Sequence, residues 1–132
     1  MPEYFDTHSH LQLEQFDTDR AEVLARMREA GVYTIAVGVG LETSKGAVAL
    51  ANANPDIWAT IGVHPTDTEE GFDPVEYEKI LNDRVVGVGE CGFDYYRTPK
   101  AEVYERQKEV FEAQIEFALA HNLPLMLHIR PS

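Results

Sequence analysis

The chain has 132 residues, 44% of them apolar and 26% charged, an ordinary globular composition. Eleven basic against 23 acidic residues leave a net charge of −12, which excludes nucleic-acid binding through a broad basic surface, because phosphate contacts come mainly from Lys and Arg. The single cysteine, Cys91, excludes an intrachain disulfide, and no apolar run approaches the ~20 residues that span a bilayer.

The N-terminal residues are acidic and lack the basic-then-apolar pattern of a signal peptide, so a cytoplasmic location is expected. Acidity leaves room for a local site, since carboxylates gathered around divalent cations attract phosphate once the ions are bound.

Short apolar runs alternate with amphipathic ones along the whole chain. The first strand is expected over residues 4–8. It runs into Asp6-Thr7-His8-Ser9-His10, which places two of the chain's five histidines two residues apart. Alternate residues of a strand share a face, so Asp6, His8 and His10 can point the same way. Paired imidazoles with a nearby carboxylate suit a divalent metal. Asp6 would bind weakly or orient an imidazole. A lone H-x-H also reads simply as a capped strand end.

A helix over residues 18–30 follows, capped by Asp17 or Thr18 and ended by Gly31. A strand over 33–39 and a helix over 43–52 come next. The strand over 57–63 ends in Ile61-Gly62-Val63-His64-Pro65. A helix over 74–82 has Asp73 as its cap and Pro74 at its first position. The strand over 85–89 meets Glu90, flanked by glycines that allow a sharp turn or a close ligand. A long helix over 101–121 turns Val103, Val110, Phe111, Ile115, Ala118 and Leu119 inward. The last strand, 125–129, ends in His128-Ile129-Arg130. The pattern βαβαβαβαβ implies a parallel sheet with right-handed crossovers and one domain over residues 1–132. Four of the five strands end in His or Glu. That edge is where parallel α/β folds place their sites, so a metal site on a β/α barrel is the leading reading.

The motifs F-D-T-H-S-H, G-V-H-P, V-G-V-G-E-C-G-F-D-Y-Y and P-L-M-L-H-I-R resemble, in order and spacing, those of the TatD family of metal-dependent deoxyribonucleases. These belong to the amidohydrolase-like TIM barrels. The resemblance implies a partial TIM-like (β/α) barrel with about five parallel strands and four helices, lacking the last three βα units. It implies hydrolysis of phosphodiester bonds at the ends of DNA, chiefly single-stranded, with two divalent ions (Mg²⁺, Mn²⁺ or Zn²⁺). By position, His8 and His10 would hold one ion, Glu90 would bridge both and serve the chemistry, and His128 would hold the second. The family's later histidine and aspartate ligands have no counterpart here. The sequence thus resembles the N-terminal part of such an enzyme, and impaired activity is expected.

Other residues carry paired readings. His64 either contacts substrate phosphate or caps the Pro65 turn. Arg130 either neutralises phosphate or pairs with Asp6 or Glu90. Asp94 is expected to order the Glu90 loop through backbone bonds. Tyr95 and Tyr96 either stack a base or pack in the core. Cys91, beside Glu90 on a strand, faces away from it and reads as packing. Two further functional readings stand beside the nuclease. One is a hydrolase of a small amide or ester, disfavoured because many such relatives carry a lysine at the Glu90 position. The other is a non-catalytic barrel fragment that self-associates through its exposed edge strands.

Overall fold

The computed structural model describes residues 2–132. Its strands are β1 (Tyr4–Ser9), β2 (Val32–Val37), β3 (Ile57–Ile61), β4 (Val85–Asp94) and β5 (Leu125–Arg130). They form one sheet in sequence order, and every neighbouring pair is parallel. A parallel pair needs a long crossover, and here helices supply it. These are α1 (Arg20–Glu29), α2 (Leu41–Ala53), α3 (Pro74–Glu78) and α4 (Lys100–Ala120). The result is the half-barrel of five parallel strands that the alternation predicts.

Strand parity sorts the side chains. Ile57, Ala59 and Ile61 of β3 join Ala36 and Val88 beneath the helices, against Ala47, Val48, Ala51, Val110 and Phe117. Burial of a large aliphatic side chain in this layer stabilises by roughly 1.5–3 kcal/mol. Trp58, of opposite parity, packs with Phe5 and Tyr33 at centroid distances of 5.7 and 5.9 Å. The guanidinium of Arg84 lies 4.5 Å from its ring centroid.

Element boundaries differ from expectation where side chains intervene. The second helix starts at Leu41 rather than Thr43, because the Thr43 hydroxyl accepts the Val39 and Gly40 amide protons from inside the first turn. The third helix begins as expected, with Asp73 accepting the Val75 amide at 3.0 Å. It ends early because the Ile80 and Leu81 amides reach back only three residues, to Tyr77 and Glu78. The stretch 64–72, between the third strand and the third helix, contains the 3-10 turn Pro65–Glu70. The largest difference is in β4, which continues to Asp94. Glu90 therefore lies within a strand, at a bulge between Gly89 and Cys91. Bulges re-aim side chains. The flanking glycines serve close packing against β5 rather than against a ligand. Gly89 (φ 147°) and Gly92 (φ 142°) have positive φ, and a Cβ there would strike the carbonyls of Met126 and His128.

The buried stripe of α4 also differs. Val110 and Ala118 are buried as expected, but Leu119 is 77% exposed and Gln107, Gln114 and Phe117 are buried instead. Large apolar side chains remain exposed on the two edge strands: Tyr4 and Phe5 on β1, Leu127 and Ile129 on β5. Among the described residues, no helix is long and apolar enough to cross a membrane.

Candidate metal centre

Four imidazoles surround one buried carboxylate. Glu90 is 6% exposed. Its Oε1 lies 3.1 Å from His8 Nε2 and 3.6 Å from His10 Nε2. Its Oε2 lies 2.9 Å from His128 Nδ1 and 3.6 Å from His64 Nε2. The end of β1, the bulge of β4 and the C-terminal half of β5, with the loop after β3, thus converge on one point. Among the described residues, two groups have the proximity to hold a metal: His8, His10 and Glu90, and His64, Glu90 and His128.

Hydrogen bonds fix which ring nitrogens are free. His10 Nδ1 donates to the Val37 carbonyl at 2.9 Å, so the neutral ring keeps a lone pair on Nε2, toward His8 and Glu90. A backbone carbonyl behind an imidazole is the usual partner of a metal-ligating histidine. Gln12 donates to the same carbonyl at 2.8 Å. The two Nε2 atoms are 3.3 Å apart. Edges of 3.1, 3.3 and 3.6 Å match the ~3.3 Å edge of a tetrahedron whose ligands stand 2.0–2.1 Å from zinc. This donor set therefore fits a divalent ion.

His128 stands between two carboxylates, with Nδ1 toward Glu90 and Nε2 2.8 Å from Asp94 Oδ2. A neutral imidazole donates from one nitrogen only. With its proton on Nε2 toward Asp94, the neutral ring turns the Nδ1 lone pair to Glu90, and the two together would hold a cation. The Asp94–His128 pair has the form of the carboxylate–histidine arrangement that orients metal ligands.

His64 differs from the other three. Its Nδ1 accepts the Thr66 amide at 3.1 Å and lies 2.8 Å from the Thr66 hydroxyl. The neutral ring must then carry its proton on Nε2, the atom turned toward Glu90. Burial, set against the attraction of Glu90, holds its pKa below the usual histidine value and keeps it neutral. An N–H cannot ligate a metal, so His64 is a donor aimed at the centre rather than a third ligand beside His128. Its role as cap of the Pro65 turn is also present, through the same Thr66 bonds.

The remaining residues fall as follows. Asp94 does order the loop, accepting the Tyr96 amide at 2.9 Å, and it also orients His128. Burial alone would raise its carboxyl; the Tyr96 amide and His128 outweigh this and hold it below the ordinary aspartate value. Asp6 accepts the His8 backbone amide at 3.0 Å, so it fixes the strand end and orients no imidazole. Arg130 pairs with neither Asp6 nor Glu90; its guanidinium lies 3.6 Å from the Tyr96 ring centroid. Cys91 is fully buried, with its thiol pushed up to about 12 by burial and by Glu90, which suits packing.

Gln107 and Gln114 were invisible as site residues in the sequence. Gln107 accepts the Asp94 amide and donates to its carbonyl, at 3.0 and 2.9 Å. Gln114 does the same for Val63, at 2.9 and 3.1 Å. Each holds the chain end that presents Asp94 or His64. Amides inside an apolar helical stripe were the only available signal.

Residues 5–132 match the family model described as TatD related DNase. The chain is 38% identical to the "3'-5' ssDNA/RNA exonuclease TatD" of Pectobacterium carotovorum, over 96% of this chain and 50% of that protein. It is 40% identical to the "uncharacterized metal-dependent hydrolase YabD" of Bacillus subtilis, with the same coverage. Among solved structures, YJJV, a TatD homologue from Escherichia coli K12, superposes with a TM-score of 0.84 at 30% identity, over 96% of this chain and 51% of that one. The chain spans about half the length of the curated relatives it matches.

Proposed function

We propose that this chain, which belongs to the TatD-related DNase family, supplies the metal-binding portion of a cytoplasmic hydrolase that cleaves phosphodiester bonds at single-stranded DNA ends. The observation that carries this reading is the pair of oxygens on Glu90, one turned to His8 and His10, the other to His128 and His64. Glu90 would hold divalent ions through both of its oxygens, with His8 and His10 completing one set and His128 contributing to the other. Such ions would supply Lewis-acid chemistry, lowering the pKa of water and offsetting the charge of a phosphodiester.

The chain's own residues do the rest. Glu90 sets the spacing of the two sets. His10 and His128 are held by the Val37 carbonyl and by Asp94, so their free nitrogens need no reorganisation. His64 offers an uncharged N–H to a phosphate oxygen. Arg130, with no carboxylate on its guanidinium among the described residues, neutralises phosphate charge. The test is degradation of a labelled single-stranded oligonucleotide with Mg²⁺, Mn²⁺ or Zn²⁺ by this chain and by Glu90→Ala. Degradation abolished in the variant supports the reading. Degradation equal in both overturns it, as does Mn²⁺ binding, by calorimetry, that Glu90→Ala leaves unchanged.

A second reading attaches to the sheet edges. Tyr4, Phe5, Leu127 and Ile129 are exposed on the two unpaired edge strands. Exposed apolar edges are sites of strand addition, and we propose that the isolated chain associates through them. Light scattering that finds a clean monomer with a cooperative melt contradicts this.

A further inference from the structure

Tyr96 and Arg130 each follow a residue of the centre's surroundings, Asp94 and His128, by two positions, and neither has an evident structural task. Tyr96 follows the end of β4 and is 58% exposed, so it is not a core residue. The Arg130 guanidinium stacks on it at 3.6 Å. Arg130 makes no ion pair among the described residues, although acidic side chains stand on the neighbouring strand. An exposed ring topped by an unneutralised guanidinium offers a π-face and a positive charge together. A nucleotide, a flat base joined to a phosphate, has the complementary chemistry.

The pair is also tied to the centre. Asp94 accepts the Tyr96 amide with Oδ1 and contacts His128 Nε2 with Oδ2. The Tyr95 amide donates to the Arg130 carbonyl at 2.9 Å, joining the loop to β5. One carboxylate therefore fixes both a proposed metal ligand and the backbone that presents the ring.

We propose that Tyr96 and Arg130 form a nucleobase platform, which receives the base of the nucleotide adjoining the phosphodiester held at the metal centre. This rests on the nuclease reading above and deepens it. A base is free to stack on a protein ring only when it has left its duplex neighbours, so the platform selects unpaired ends.

The test uses the full chain in EDTA, where the metal centre contributes nothing. Fluorescence anisotropy measures binding of a labelled thymidine oligonucleotide and of an abasic strand of equal length. The wild-type chain is expected to prefer the base-containing strand by roughly five-fold or more. Tyr96→Phe should keep that preference and Tyr96→Ala should bring it near one. Arg130→Gln should weaken both strands and lower the salt dependence by about one phosphate contact. Equal binding of the two strands by wild type, or an unchanged preference in Tyr96→Ala, overturns the platform, as does failure to bind either strand. Mn²⁺ calorimetry on the same variants separates the two proposals. Normal metal binding with no base preference removes the platform alone, whereas loss of metal binding in Tyr96→Phe would count against both.

Discussion

The two pairs of imidazoles around Glu90 are held by different means. On the β1 side a backbone atom fixes the ring, since the Val37 carbonyl sets the His10 tautomer. On the β5 side a side chain does this work for His128, since the Asp94 carboxylate stands behind it, while the Thr66 amide sets His64. Backbone support cannot be removed by substitution, whereas side-chain support can. His10 should therefore respond only to its own substitution, and His128 also to substitution of Asp94.

The largest effect should come from the residue both sides share. Glu90→Ala is expected to remove Mn²⁺ binding from both donor sets, a loss beyond the roughly 10- to 100-fold that outer partners carry. Calorimetric titration would show it. Next, His8→Ala combined with His10→Ala should remove one set and leave the His128 set. Unchanged affinity in that double variant would break the comparison. Asp94→Asn should then weaken binding by roughly 10- to 100-fold on the β5 side alone.

Stability changes should be smaller but resolvable. Gln114→Leu leaves the Val63 amide and carbonyl without their partner, and each buried orphan costs about 1–3 kcal/mol. A lowered denaturant midpoint at unchanged slope would report this. Least of all is a pH effect in the metal-free chain. Because the folded-state pKa of His64 is depressed, the unfolded chain binds more protons as pH falls below 6.5. Stability should therefore decline from about that pH until the folded value is passed. Melting curves of His64→Gln should lack this component.

Much of this arrangement was legible in the sequence. Alternating apolar and amphipathic runs predict five parallel strands, because a strand covered on both faces must be apolar throughout. His8, His10, Glu90 and His128 stood out because polar residues ended apolar strands. What was not legible depends on backbone partners. The extension of β4 past Glu90 rests on pairing with β5 as far as Arg130, which residues 90–94 do not announce. The tautomers of His10 and His64 come from the Val37 carbonyl and the Thr66 amide, atoms common to every residue. The burial of Gln107 and Gln114 in place of Leu119 follows from unpaired groups at strand ends, which periodicity does not register.

Those two glutamines lie seven residues apart, two turns along α4, roughly 10 Å of axial rise. Each grips one residue of the sheet by both backbone atoms. The helix is thereby a ruler with two fixed marks, and the sheet is cut to its scale. One residue inserted between Gln107 and Gln114 would turn one mark about 100° away from its strand, releasing either the His64 loop or the Asp94 end.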